Sequence, residues 1–212
     1  MIEVAIYNQG NSQWRNKTMG PSGLTLGSFG CLVTCVAASL NNYAKVMDPG
    51  VLVDKLQFDV YGNLALPSVE SAVPGVFFHD RQRTTLVTNE PSTQKMGIFD
   101  AVARIQKFLR VGIPVMLNVD LIGQDKNSDH WVLCYDTDWN IMDPAFGEKT
   151  SLLARYGTPE KSIYGYCVWL GSPIGFPDDG EPDKGQAVYK LACASRGINV
   201  QMNVKEALNV LL

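Results

Sequence analysis

The strongest constraint on this chain is an abrupt change of texture at residue 31. Residues 7–30 are rich in Asn, Gly, Ser and Thr, with Trp14 as the main large anchor before Leu24. The run Cys31-Leu32-Val33-Thr34-Cys35-Val36-Ala37-Ala38-Ser39-Leu40 is then small and apolar all round. A stretch without a polar face reads as a buried helix, entered here directly from Gly30. The long loop before it is of the kind that usually serves a site.

The remaining pattern places helices first and strands later. Residues 2–6 read as a short strand. Asp48-Pro49 opens a second helix through about Phe58, with Asp48 as N-cap and Pro49 in the first turn. Short strand candidates lie at Val76–Phe78 and Thr84–Thr88. Ile98 to Val111 is amphipathic, with Ile98, Val102, Ile105 and Leu109 on one face, and Gly112 ends it. Strands follow at 114–119, 130–135 and 139–142, the last two joined by a turn at Asp136-Thr137-Asp138. Thr150 to Arg155 reads as a short helix and Ile163 to Leu170 as a strand. This order predicts an α+β fold rather than alternating βαβ units. Gly, Pro and Asp then crowd residues 172–185, which divides the chain into a domain at 1–171, a linker, and a helical appendage at 186–212. In the appendage Asn203 and Glu206 have capping-box spacing.

Composition excludes several function classes. No apolar run approaches the ~20 residues that span a bilayer, and no basic-then-apolar start marks a secretory signal. The expectation is synthesis in a cytoplasm without membrane insertion. Net charge is −3 with scattered Lys and Arg, which argues against nucleic acid. The five cysteines have no Cys-x-x-Cys pair, so a metal site is not expected, and no cofactor motif is present.

A thiol hydrolase needs a thiolate, a base, an orienting group and an oxyanion donor. Cys31 stands where a helix N-terminus favours thiolate and offers free N–H groups. Cys35, one turn on, reads as core. His130 opens a strand from which an imidazole can enter a cleft. The other histidine, His79, reads as surface. Asp143 ends the strand expected to pair with that of His130, and a hairpin at 136–138 would set residues near 130 and 143 opposite one another. Asp136 and Asp138 fit the hairpin tip. Gln9, in the polar loop, reads as a surface residue on composition alone.

Taken together, Tyr7-Asn8-Gln9, Trp14, Gly30-Cys31-x-x-Thr34, Asp129-His130-Trp131-Val132-Leu133 and Met142-Asp143-Pro144-Ala145-Phe146-Gly147 resemble the bacteriocin-leader-peptidase-like branch of the papain-like cysteine peptidases. The resemblance spans about residues 5–170. It implies a papain-like fold with Cys31 as nucleophile, His130 as base, Asp143 as orienter and Gln9 as oxyanion donor. The family often has Gly-Pro after the nucleophile, where this chain has Leu32-Val33. The stretch Leu152 to Tyr166 looks like bacteriophage-encoded members, implying peptidoglycan peptides as substrate and a lysin or virion-associated wall hydrolase. Two alternatives stand beside it. One is a phage tail or capsid component that keeps a peptidase fold and docks other structural proteins through its C-terminal helices. The other is a peptidase for leader peptides or other proteins.

Overall fold

The computed structural model describes residues 2–43, 45–87, 95–121 and 129–171. The expected linker and helical appendage, with the capping box, lie outside the described residues.

Helix α1 (Leu26–Phe29) runs into α2 (Cys31–Leu40) through Gly30. Nine of the ten α2 residues are buried, as expected of a helix lacking a polar face. Gly30 has no alternative at this junction: a Cβ would lie 2.4 Å from the Leu26 carbonyl oxygen and 2.6 Å from its Cγ. Helix α3 (Pro49–Val53) is capped by Asp48, whose carboxylate accepts from Val51 N–H. It is shorter than the expected 49–58, and the chain turns after Asp54. Residues 2–6 form no strand. Ile2 and Val4 are buried, and Ala5 N–H donates to Ala38 O, so the segment lies along α2 instead.

Helix α4 (Ser68–Ala72) leads into β1 (Val76–Thr84), one bulged strand that takes in the expected piece at 76–78; of the piece expected at 84–88 only Thr84 is strand, Thr85 and Leu86 turn, and Thr88 lies outside the described residues. After β2 (Lys95–Met96) comes α5 (Ile98–Arg110). Its buried stripe is Ala101, Ile105, Phe108 and Leu109, while Ile98 and Val102 are only half-buried. The apolar face is thus turned toward Phe108, whose ring meets His79 and Tyr166.

Strands β3 (Val115–Val119), β4 (His130–Cys134), β5 (Asn140–Asp143) and β6 (Glu148–Ser151) precede α6 (Leu152–Arg155), α7 (Pro159–Ser162) and β7 (Gly165–Gly171). The sheet order is β2-β1-β7-β3-β4-β5-β6, antiparallel except for the β1–β2 pair. The fold is α+β. Strands β3 and β7 are buried along their whole length because they sit inside the sheet. Helix α2 lies against β4 and β3, and α5 against β1 and β3.

The β4–β5 connection is a tight turn held by Asp136, whose carboxylate accepts from the N–H groups of Asp138 and Asn140 and from the Asn140 side chain. Trp139 takes a positive φ of 64° there. The register pairs Leu133 with Met142 and Cys134 with Ile141. Continued by one step, it sets Val132, not His130, opposite Asp143. His130 is two residues further along on the same face, within diagonal reach of the carboxylate.

Candidate active site

Three of the four expected residues converge. His130 Nε2 is 2.9 Å from Asp143 Oδ1. Cys31 lies close enough to the same imidazole to help raise its pKa. With Nε2 facing the carboxylate, Nδ1 is the nitrogen left for the sulfur. The order sulfur, imidazole, carboxylate joins the front of α2 to the start of β4 and the end of β5. Cys31 is 7% exposed, His130 2% and Asp143 0%.

The elements explain this convergence. Helix α2 presses its apolar surface on β4, and Cys35 Sγ reaches the Trp131 carbonyl at 3.4 Å. That contact fixes the helix one turn below Cys31. Cys35 itself is fully buried core, and burial followed by the charges of Cys31, Asp143 and Cys167 raises its pKa well above the ordinary thiol value. The backbone of His130 is anchored separately, its carbonyl accepting from Asn118 Nδ2 at 3.0 Å.

Asp143 is more heavily bonded than the sequence suggests. Oδ1 accepts from His130 and from Ala145 N–H at 3.1 Å. Oδ2 accepts from Arg155 Nη1 at 2.9 Å and from Tyr156 Oη at 2.7 Å. Burial alone would raise the Asp143 pKa, but the bonds from His130, Arg155 and Tyr156 outweigh it and hold the carboxyl below its usual range. Burial likewise disfavours a charged His130, yet the hydrogen bond to Asp143 and the neighbouring Cys31 prevail and push its pKa up to about 9. Both effects favour imidazolium beside carboxylate over a wide pH range.

Arg155 and Tyr156 were not among the expected site residues. Their only sequence signal is their place at the end of α6, after the β5–β6 hairpin brings the chain back past Asp143. Arg155 also pairs with Glu148 and lies 4.2 Å from the centroid of the exposed Phe146 ring. Tyr156 sits 6.4 Å from the imidazole, ring centre to ring centre.

Gln9 is half-buried rather than a surface residue, and it lies at the edge of this group. Its backbone N–H donates to Pro144 O at 2.9 Å, just after Asp143. Its side-chain Nε2 donates to Gly27 O at 3.0 Å, four residues before Cys31. It is bonded to neither Cys31 nor His130. One Nε2 hydrogen remains uncommitted, and the buried Oε1 has no hydrogen-bond partner. The loop carrying it is held by Trp14, whose indole N–H donates to Asn8 O, and by Gly147, where a Cβ would stand 2.6 Å from Asn8 Cβ. The positive φ of Gly147 makes that close approach possible.

His79 is not a surface residue either. It is half-buried in β1, 5.6 Å from the Phe108 ring, and takes no part in the site. No cluster of His, Cys, Asp and Glu fit to hold a metal occurs among the described residues, and no described helix is long and apolar enough to cross a membrane. Comparison of the chain with protein-family models, curated proteins and solved structures found no match.

Proposed function

We propose that the chain is a papain-like cysteine peptidase or amidase with Cys31 as nucleophile, His130 as base, Asp143 as orienter and Gln9 as oxyanion donor. One observation carries this reading. A single buried imidazole is bonded through Nε2 to a buried carboxylate and has a helix-front thiol beside it.

The chemistry follows from that order. The raised pKa of His130 favours transfer of the thiol proton to the ring, giving an imidazolium–thiolate pair. The thiolate attacks a substrate carbonyl. The first-turn N–H groups of α2, where no side chain caps the helix, face the developing oxyanion. The uncommitted Nε2 hydrogen of Gln9 is the second donor. His130 then protonates the leaving amine, and water resolves the thioester with His130 acting as base. Asp143 keeps Nε2 protonated throughout, so Nδ1 stays the working nitrogen.

The proposed substrates are peptide bonds of bacterial peptidoglycan, as the resemblance to phage-encoded wall peptidases implies. The test is to incubate wild-type and Cys31→Ala protein with purified peptidoglycan and with casein, then map products by mass. Cys31-dependent cleavage of wall peptides supports the proposal. Casein products alone would redirect it to protein substrates. A catalytically silent scaffold is the reading that the low exposure of Cys31 favours, and absence of products from both substrates with wild-type protein would establish it.

A further inference from the structure

Beside the His130–Asp143 pair lies a cavity of about 270 Å³, lined by Asp120, Leu121, Arg155, Tyr156, Lys161, Ser162 and Tyr164. It shares Arg155 and Tyr156 with the carboxylate network, so it borders the Asp143 end of the proposed site. Ligand pockets for whole small molecules usually span roughly 300–1,000 Å³. This one is sized for a single substrate arm.

Its free hydrogen-bonding capacity is biased toward donors. Arg155 commits one hydrogen of Nη1 to Asp143 and one of Nη2 to Glu148, which leaves three of its five N–H groups uncommitted. Tyr156 gives its hydroxyl hydrogen to Asp143, and Ser162 gives its own to Thr158 O. Asp120 is buried and already engaged in a polar interaction. Lys161 is different. Its backbone N–H bonds to Thr158 O, but its ammonium has no partner among the described residues. The pocket therefore offers an unpaired ammonium and uncommitted guanidinium N–H groups, with its acid already engaged.

We infer that this cavity is a substrate subsite for a carboxylate, held by the Lys161 ammonium and assisted by the uncommitted N–H groups of Arg155. The inference rests on the hydrolase reading and specifies its substrate class as peptides with a free carboxylate close to the cleaved bond. Tyr156, on the pocket wall, lies 6.4 Å from the imidazole ring, centre to centre.

The test uses two synthetic peptides spanning the bond mapped in peptidoglycan, identical except that one carries the nearby carboxyl group free and the other has it amidated. A charge-assisted hydrogen bond lost on amidation predicts a kcat/KM preference of about tenfold for the free acid. In Lys161→Gln protein that ratio should fall toward one, and in Lys161→Glu it should invert. Lys161 is exposed, so these variants are expected to fold, and Cys31 alkylation by iodoacetamide at the wild-type rate verifies an intact site. Equal cleavage of both peptides by wild-type protein, or an unchanged ratio in both variants, overturns the subsite and leaves the hydrolase standing. Cleavage of neither, with Cys31 unreactive, overturns both.

Discussion

Replacing Asp143 by Asn tests the site at its centre. The substitution keeps the shape of a side chain with no exposed surface but removes its charge. An amide that still accepts from His130 must turn its NH2 toward Arg155 Nη1 and Tyr156 Oη, both of which donate to Oδ2 in the wild type. Exchanging a charged acceptor for a neutral one weakens the bond to His130 by about 1–2 kcal/mol. At 1.36 kcal/mol per pKa unit this lowers the His130 pKa by about one unit. The guanidinium of Arg155, no longer neutralised by Asp143, pushes the same way, so one unit is the smallest fall expected. The chain has two histidines, so NMR of the imidazole C–H protons can follow His130 beside His79 through a pH titration. Wild-type His130 should titrate near 9, and the variant at least a unit lower. Stability should drop by roughly 3 kcal/mol, because one partner of a buried pair is gone. A wild-type His130 titrating near its unperturbed value, or one indifferent to the substitution, would refute the bonded order on which the site depends.

Four further outcomes follow. Iodoacetamide should label Cys31 in preference to Cys35, Cys134 and Cys167, whose pKa values burial raises, that of Cys134 to about 12; peptide mapping of the adduct checks this. Tyr156→Phe deletes one donor to a buried carboxylate and should cost about 1–3 kcal/mol in urea unfolding. His130 has a folded pKa above its unfolded value, so its contribution to stability is full below about pH 6.5 and is lost as pH rises through about 9; Asp143, depressed on folding, contributes above about pH 4 and loses that contribution as pH falls. Urea midpoints measured across pH should show both limbs, and Asp143→Asn should flatten them. Gln9→Ala should reduce kcat by roughly a hundredfold or more while Cys31 alkylation stays near wild type, since an oxyanion donor acts on the transition state and not on the thiol.

The sequence made some elements legible for clear physical reasons. Helix α2 was readable because nothing in Cys31–Leu40 can face water, and the Asp48 cap because its carboxylate has one local task. Strand β4 was readable from its apolar run after His130. What failed were features set by long-range packing. Residues 2–6 alternate like a strand, yet α2 offers them a surface and the Ala5 N–H bonds to it at Ala38 O. The α5 stripe turned toward Phe108 because β1 and β7 present His79 and Tyr166 to it. The pairing of His130 with Asp143 was anticipated as direct opposition, but the Asp136 turn set a register that makes it diagonal. Arg155 and Tyr156 were missed because their role depends on the β5–β6 return, which no local pattern announces.

The bond from Gln9 N–H to Pro144 O has a mechanical consequence. It rivets the arm bearing the amide to the turn that ends the acid's strand, so the two shift as one body. Lengthening the chain between residues 15 and 25 leaves that rivet in place, whereas one extra residue between 143 and 147 would displace donor and acid together. Tolerance to insertion should therefore be nearly absent in the five-residue corner.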